Sequence, residues 1–435
     1  MQPKTFLGKG LTQSLVAMKA QASSTRSVAK VFCQMIYPFF NPLQENDRLL
    51  DGPTNDVWIF PWVSMLMDMG VRFEYGARVK RLIPDERRLS EVEMDLVERT
   101  GAGRNARIQA VKLCASQDFD YVVSALPVDR MCELLQGEDG KRLKQAAPPL
   151  RNLCKLKTGW MNGIQFYLKR DISIVDGHVL YVGTPWALTS ISQQQFWEHY
   201  DLGSAGDGCV NGLLSVDISD WEKNGIFGKP ASECNPQEVK DDVWEQLKRC
   251  LNYGRNKVLD DGDLHSWFMN KCIIRLRTDH FAYLRDNPQR RHMIEIRGQG
   301  DENLRDDEID LEPLFINEVG SARFRPSTQS GLPNFMLASD YVRTNTDLAT
   351  MEAANEAGWL AANAILEAEG IQGLLAEVWP LHQPWYVRPW QALDCWRFRH
   401  GHPHILSDKN MRLRPGDRPV RAASCTPGAD TTATD

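Results

Sequence analysis

The chain has 435 residues, of which 42% are hydrophobic and 25% are charged, and its formal net charge is −6. This length and apolar content suffice for a large core and favour two or three domains. The mild acidity argues against a nucleic-acid-binding protein, which is usually strongly basic, and the 13 tryptophans argue against intrinsic disorder.

The predicted elements begin with a helical pattern over residues 5–40. An apolar helix follows over residues 62–69, and Gly70 is its natural stop. Residues 71–75 alternate between apolar and polar side chains, as a strand does, and residues 79–83 continue the extended pattern.

Residues 84–105 are charged and end near a pair of glycines, so they predict an exposed excursion from the fold. Residues 120–126, with the sequence DYVVSAL, form a short apolar run that Pro127 ends. Such a run predicts a strand buried on both faces, as in a parallel sheet, with a helix after it to about Leu135.

The middle of the chain has the pattern of a mixed α/β insertion with its own core. Residues 163–168 and 213–218 are predicted strands. Asn235 and Glu238 have the spacing of a capping box at the start of a helix. The apolar residues of that helix recur at every fourth position: Val243, Leu247 and Leu251.

A strand over residues 334–340 ends at Asp340, and a helix rich in alanine follows over residues 347–367. In open α/β sheets, ligands bind at the carboxyl ends of the strands, and a helix N-terminus there can receive an anionic group. Reduced flavin is such a group, because negative charge accumulates at its N1–C2=O edge. The Asp340 carboxylate suits ribityl or ribose hydroxyls, which are donors. An ordinary strand–loop–helix crossover is the alternative that this spacing leaves open.

The segment ASDYVRTNTDLATMEAANEAGWLAANAIL resembles the closing FAD motif of the flavin amine oxidase and phytoene desaturase superfamily. Asp340 matches the motif aspartate, and Met351, Glu352 and Ala354 match its helix start. The resemblance implies that Asp340 contacts the ribityl–pyrophosphate part of FAD. It also implies that the backbone around Thr350 and Met351 faces the pyrimidine edge of the flavin, with Glu352 among the cofactor-binding residues.

Two upstream segments are similar to the same superfamily. GVRFEYGARVKRL places Val79 where the family's backbone hydrogen-bonds the adenine ring, and DYVVSALP resembles its return strand. In the closing motif, Ser339 and Ala353 replace the usual glycines and add bulk where backbone and cofactor approach each other. The runs GPTNDVWIFPW, WMNGIQFYL and PWALTSISQ resemble the hydroxysqualene-dehydroxylase and carotenoid-desaturase-like branch, which implies a long isoprenoid or otherwise apolar substrate.

The fold that the resemblance implies is α/β, with an incomplete Rossmann-like FAD-binding domain interleaved with a mixed α+β substrate domain. The expected divisions are 1–50, a helical segment of the substrate domain; 51–135 and 320–370, parts of the FAD-binding domain; 136–319, the substrate domain; 371–414, a C-terminal extension; and 415–435, a disordered tail.

The superfamily's strand–GxGxxG–helix segment, which holds the ADP half of FAD, has no credible counterpart in this sequence. Gly8 and Gly10 are followed by Gln13 rather than a third glycine, and no apolar strand precedes them. We therefore expect that the sequence starts inside the family's fold and that the chain alone binds FAD weakly or not at all. A partner chain that supplies the dinucleotide-binding segment is one explanation.

Hydride transfer to a flavin requires an apolar C–H near the ring and the exclusion of water, so we expect an aromatic tunnel in the middle domain. No catalytic side chain is assigned. The candidate pocket walls, each with ordinary core packing as the alternative, are Trp160, Asn162, Gln165, Phe166 and Trp186. The alternating His400, His402 and His404 favour a solvated segment over a metal site, and His265 favours a core histidine over a proton shuttle.

Ten cysteines are dispersed along the chain without a CxxC pair, which favours free thiols in a reducing compartment. No secretory signal follows Met1, and no apolar run is long enough to span a bilayer. The expected location is the cytoplasm. Peripheral membrane contact stays open, because an apolar substrate has to be collected from somewhere.

Three functions remain open at this point. The predicted one is an FAD-dependent oxidoreductase acting on an isoprenoid or related apolar small molecule. A flavin amine oxidase is the second and would need an aromatic pair over the flavin face. The third is a non-catalytic fragment or one half of a split flavoprotein.

Overall fold

The computed structural model describes residues 23–24, 27–31, 49–99, 106–159, 162–204, 206–269, 314–380 and 385–402. Their strands are β1 (Ala77–Pro84), β2 (Leu89–Arg99), β3 (Ala106–Cys114), β4 (Val122–Ser124), β5 (Lys157–Gly159), β6 (Asn162–Leu168), β7 (Val179–Leu180), β8 (Thr189–Ser192), β9 (Gly212–Ile218), β10 (Leu264–Met269), β11 (Leu314–Ile316) and β12 (Phe335–Leu337). Their α-helices are α1 (Phe60–Asp68), α2 (Val128–Leu134), α3 (Gly137–Ala146), α4 (Pro236–Leu251), α5 (Met351–Ala368) and α6 (Arg388–Arg399).

The first described elements confirm one prediction and overturn another. Helix α1 ends before Gly70, which has a φ of 93° as a helix stop requires. The predicted strand over residues 71–75 is wrong, because these residues pair with no strand in the described part of the chain. Of the predicted helix over residues 5–40, residues 27–31 are helical, and most of the remainder lies outside the described residues.

Strands β1, β2 and β3 form an antiparallel meander, so the exposed excursion predicted over residues 84–105 is wrong for residues 89–99, and residues 100–105 lie outside the described residues. Leu89 and Val92 of β2 are buried, while three acidic residues of the same strand form cross-strand ion pairs. These pairs are Lys112–Glu91 at 2.6 Å, Arg81–Glu93 at 3.2 Å and Lys80–Asp95 at 3.5 Å. A strand with one solvated face accommodates such charges because opposite charges meet across the ladder.

Strands β4 and β12 form a parallel pair, with Val122 opposite Phe335 and Ser124 opposite Leu337. Parallel pairing of segments so distant in sequence is a feature of α/β folds. Helix α5 lies on this pair, where Ala361 and Ala364 pack against Met336. Both strands and the helix were predicted from the sequence, but the prediction that β4 is buried on both faces is wrong, because Val123 is 43% exposed. The strands are shorter than expected, and the helix starts after the N-cap residue Thr350.

The five-stranded antiparallel sheet has the order β10-β6-β9-β8-β7, and helix α4 packs on one of its faces. The predicted strands at 163–168 and 213–218 correspond to β6 and β9 and are confirmed. Phe166 of β6 and Trp244 of α4 meet in the core between the sheet and the helix, with ring centroids 4.9 Å apart. A further antiparallel pair joins β5 to β11.

The predicted capping box at α4 is present. The Asn235 side chain accepts from the backbone N–H of Glu238 at 3.0 Å, and the Glu238 carboxylate accepts from the backbone N–H of Asn235 at 2.9 Å. We expect Asn235→Ala to lower the free energy of unfolding by about 1 kcal/mol and Asn235→Gly by a few tenths, measured by urea unfolding. An unchanged free energy of unfolding in Asn235→Ala would show that the side-chain cap does not stabilise the helix.

The cysteine prediction is wrong for part of the chain. Cys132 of α2 and Cys154 form a disulfide with a Cα–Cα distance of 5.6 Å, and Cys395 is also disulfide-bonded. Contacts between α2 and the 3-10 segment Pro148–Lys155 bring Cys132 and Cys154 together, which their spacing in the sequence does not indicate. Cys114, Cys209, Cys234 and Cys250 are free thiols. Among the described helices, none has the length and apolar character that crossing a membrane requires.

Candidate cofactor site

The carboxyl ends of β4 and β12 lie at the same edge of their parallel pair, and an aspartate follows each strand. Asp340 comes shortly after β12, and Asp129 lies in the first turn of α2, which follows β4. Asp129 Oδ1 is buried and has no hydrogen-bond partner within the described ranges. Its other oxygen lies 3.4 Å from Arg130 Nε. This edge therefore has two carboxylates where an α/β sheet usually binds its ligand.

Burial raises the pKa of the Asp340 carboxyl group, and the negative charge of Asp129 adds to the increase. The hydroxyl of Ser339 donates to Asp340 Oδ1 at 3.2 Å and acts in the opposite direction. Ser339, which replaces the family glycine, is itself buried, so its added bulk lies within the fold. Asp340 is thus a partly buried acceptor whose charge the protein itself stabilises incompletely.

The turn that carries Asp340 is held by the buried guanidinium of Arg325. Its Nη2 donates to the carbonyl oxygens of Asp340 at 3.0 Å and Val342 at 2.6 Å, and its Nε donates to the carbonyl oxygen of Tyr341 at 3.0 Å. Its Nη1 forms an ion pair with Asp347. One side chain therefore fixes three successive carbonyl groups just after β12.

Asp347 connects this guanidinium to other parts of the chain. Its Oδ2 accepts from the Ser27 hydroxyl at 3.3 Å and lies 3.9 Å from Lys30 Nζ, and its carbonyl oxygen accepts from Asn317 Nδ2 at 3.1 Å. Asp347 has a φ of 56°, a conformation that non-glycine residues adopt rarely. We call Ser27, Lys30, Asn317, Arg325 and Asp347 the Arg325 cluster. The sequence analysis missed it, because no spacing rule connects its members.

Helix α5 begins at this edge with an open N-terminus. The Thr350 hydroxyl caps it by accepting from the backbone N–H of Ala353 at 3.4 Å. Met351 is 63% exposed, Glu352 is exposed too, and the first N–H groups of a helix have no acceptor within it. Ala353 is fully buried, so the methyl group that replaces the family glycine's hydrogen lies in the interior. The positive end of the helix dipole is therefore accessible here.

Glu356 fixes the loop that leads into α5. Its carboxylate accepts from the backbone N–H groups of Asn345 at 2.6 Å and Thr346 at 3.1 Å, and from the Thr346 hydroxyl at 3.0 Å. Glu356 is buried, and these three donors satisfy its charge. The sequence analysis did not assign this residue. The sequence feature that could have identified Glu356 is its position as a glutamate in the second turn of an alanine-rich helix.

Val79 lies in β1 at an irregularity of the ladder, since Val79 pairs with Met94 while Arg81 pairs with Glu93. One extra residue on β1 is a β-bulge, which locally disrupts the ladder. Val79 packs on the same core cluster as the Asp340 turn and α5: Leu337, Tyr341, Val342, Ala349 and Ala357. Residues next to the predicted positions thus share one core with Val79, while cofactor binding by Val79, Asp340, Thr350, Met351 and Glu352 stays a prediction.

The candidate pocket walls lie at different places in the five-stranded sheet. Phe166 and Trp186 are fully buried on the side of α4, and the Trp186 indole donates to the carbonyl oxygen of Lys223 at 2.9 Å. The structure gives these two side chains a packing role, and their assignment as pocket walls stays a prediction. Trp160 lies outside the described residues.

Gln165 lies on the opposite face of this sheet, between Phe268 on β10 and Ser215 on β9. The Tyr167 hydroxyl donates to Gln165 Oε1 at 3.1 Å, whereas Ser215 Oγ is buried without a hydrogen-bond partner in the described part of the chain. Asn162, at the start of the same strand, accepts from the backbone N–H of Gly163 at 2.9 Å. This face, which includes the exposed Phe268, combines apolar surface with a few polar groups.

The histidines have other environments. His265 Nε2 lies 2.9 Å from Asp207 Oδ2, and Asp207 is largely exposed, so this is a surface pair rather than a core histidine. The His400 ring stacks near Trp396 with centroids 4.5 Å apart, and His404 lies outside the described residues. Within the described ranges, no three metal-ligating side chains form a cluster.

Comparison with known proteins places the site in a family. The profile of the flavin containing amine oxidoreductases matches residues 62–366, which include β1, the Asp340 turn and the start of α5. The chain belongs to this family of oxidoreductases, whose cofactor is FAD. A segment of 61 residues is also 46% identical to the carotenoid phi-ring synthase of Streptomyces griseus. That segment covers 14% of this chain and 11% of that protein.

The donor set at the β4–β12 edge is compatible with FAD. The Asp340 carboxylate can accept hydrogen bonds from ribityl or ribose hydroxyls, and because burial raises its pKa, such donors would favour its charged form. The open N-terminus of α5 can stabilise negative charge.

Proposed function

We propose that this chain acts in the FAD-dependent oxidation of an isoprenoid or otherwise apolar small molecule by hydride transfer. The observation that carries the proposal is the parallel pair β4–β12, with Asp340 and the open N-terminus of α5 at its carboxyl edge. The family match supports the flavin chemistry. The similarity of one segment to a carotenoid phi-ring synthase supports an apolar substrate.

The residues of the chain have binding and positioning roles in this proposal. Asp340 holds hydroxyl groups of the cofactor, and the N–H groups of Met351 and Glu352 stabilise the negative charge that develops at the pyrimidine edge. Thr350 caps the helix so that these N–H groups are oriented outward. The chemistry that FAD supplies when bound is hydride acceptance, which needs no protein nucleophile.

The face of the five-stranded sheet that includes Gln165, Ser215 and Phe268 is the substrate surface in this proposal. Phe268 contributes apolar area, and the Ser215 hydroxyl, which has no hydrogen-bond partner among the described residues, is a polar group that can orient a ligand. Pockets for small molecules usually combine apolar walls with a few polar groups. The substrate has to exclude water from this face for hydride transfer to proceed.

Amine oxidation is the second candidate function, favoured by the description of the family as amine oxidoreductases. The two functions differ in the ligand that reduces the flavin. We expect anaerobic addition of an isoprenoid hydrocarbon in detergent micelles to bleach the flavin absorbance bands of the FAD-loaded protein, and benzylamine to leave them unchanged. Bleaching by benzylamine alone would favour amine oxidation, and bleaching by neither would contradict both candidates.

Cofactor loading is a separate prediction. We propose that the chain alone binds FAD weakly and that a partner chain with a GxGxxG segment raises its affinity, since that segment normally binds the pyrophosphate. Co-expression with and without such a segment, followed by an absorbance scan, measures the effect. Tight, stoichiometric FAD binding by the chain alone would contradict the proposal.

A further inference from the structure

The segment that ends in α6 exposes a concentration of aromatic side chains. Trp385 is 77% exposed and Trp390 is 63% exposed, and Tyr386 and Trp396 are exposed as well. No residue of α6 is buried. An exposed apolar surface of this extent on a folded protein usually marks an interaction site.

Three of the exposed apolar side chains of α6 form one stripe. Trp390, Leu393 and Trp396 recur at every third position, so they lie next to one another along the helix. Tryptophan at such positions is typical of the membrane–water interface, where an amphipathic ring contacts both acyl chains and headgroups.

The charges of α6 indicate which surface it contacts. The helix contains Arg388, Arg397 and Arg399, against Asp394 as its one acidic residue. A tryptophan stripe beside arginines is the composition of helices that lie in the plane of an anionic membrane surface. A second copy of this chain would bring the same arginines together, and like charges at an interface are unfavourable.

The segment over residues 376–379, which precedes α6 in the chain, is hydrogen-bonded to α5 and to the loop before it. Asn363 of α5 donates through Nδ2 to the carbonyl oxygen of Ala376 at 2.8 Å and accepts from its N–H at 2.7 Å. Asn345, in the loop held by Glu356, donates to the carbonyl oxygen of Trp379 at 3.4 Å. This segment is therefore connected through hydrogen bonds to the loop that precedes the N-terminus of α5.

We propose that α6 and the adjoining turn Trp385–Val387 dock the protein on an anionic phospholipid surface. Trp390, Leu393 and Trp396 insert at the boundary between headgroups and acyl chains, and Arg388 and Arg399 contact lipid phosphates. The helix lies in the plane of the surface and does not cross it. This inference does not depend on the proposed flavin chemistry, although it would place the site beside a source of apolar substrate.

Vesicle flotation of the purified full chain tests the proposal. We expect the chain to float with vesicles of phosphatidylcholine and phosphatidylglycerol, and much less with phosphatidylcholine alone. The double variant Trp390→Ser/Trp396→Ser should bind the anionic vesicles about tenfold more weakly, because it loses the apolar contacts. Arg388→Gln/Arg399→Gln should bind more weakly and lose most of its salt dependence.

The matched control is Phe227→Ser/Tyr253→Ser, which removes two exposed aromatic side chains elsewhere on the surface and should bind as the wild type does. Circular dichroism checks that every variant is folded. Absence of flotation, equal binding to neutral vesicles, or unchanged binding by the double tryptophan variant would overturn the proposal. Concentration-dependent self-association that the double tryptophan variant abolishes, without vesicle binding, would assign the stripe to an interface between copies and also overturn it.

Discussion

Replacing Arg325 with alanine is expected to lower the free energy of unfolding by about 3–5 kcal/mol, the usual cost of leaving one partner of a buried ion pair unpaired. The fully buried Arg325 pairs with Asp347, and its other nitrogens donate to the carbonyl groups that follow β12. In the variant, those carbonyl groups lose their donor and the buried Asp347 carboxylate loses its guanidinium partner. Urea unfolding of the purified chain measures the loss.

Matched variants separate the role of Arg325 from a general effect of removing positive charge. Arg323→Ala removes an exposed arginine over the Phe324 ring two residues away and should cost less than about 1 kcal/mol. Arg325→Lys keeps the charge but not the planar set of donors, so it should lose an intermediate amount. Similar losses for Arg325→Ala and Arg323→Ala would show that the buried cluster does not stabilise the fold.

The elements that the sequence predicts correctly are those with local signals. Strand β4 is an apolar run between Asp120 and Pro127, and α4 starts at the capping box of Asn235. Short buried strands and capped helices depend on neighbouring residues, so a single sequence is enough to identify them. The family motif adds Asp340, which follows a strand of the parallel pair, and Thr350, which is the N-cap of α5.

The elements that the sequence missed depend on contacts between distant residues. The charged residues of β2 predict a loop when the segment is considered alone. In the structure these acidic residues are stabilised by cations on β1 and β3, which the local pattern does not contain. The Arg325 cluster joins residues near 27, 317, 325 and 347, and its arginine is buried only because all of them meet. The disulfide between Cys132 and Cys154 also depends on contacts that the local sequence pattern does not indicate.

Replacing Asp340 with asparagine is expected to stabilise the protein without FAD at neutral pH and to weaken its binding of FAD. Burial raises the pKa of Asp340, so the folded state favours the protonated carboxyl and its ionisation at neutral pH costs stability. That cost disappears as the pH falls through the folded pKa and below about 4, the ordinary value for aspartate, because both states are then protonated. The neutral amide removes the cost at every pH.

The loss of FAD affinity has the opposite physical origin, because the carboxylate that the fold stabilises poorly is the group that accepts hydrogen bonds from the cofactor. A hydrogen bond to a charged group contributes about 1.5–3 kcal/mol, so Asp340→Asn should weaken FAD binding by roughly 10- to 100-fold.

Fluorescence titration with FAD, with a GxGxxG segment supplied where the chain alone binds too weakly, measures affinity. Urea unfolding without FAD, at neutral and acidic pH, measures stability. Asp120→Asn, at an exposed carboxylate before β4, should change neither quantity. Unchanged FAD affinity in Asp340→Asn would show that Asp340 does not bind the cofactor. A stability difference that persists at acidic pH would show that ionisation of the buried carboxyl is not what lowers the stability of the wild-type protein.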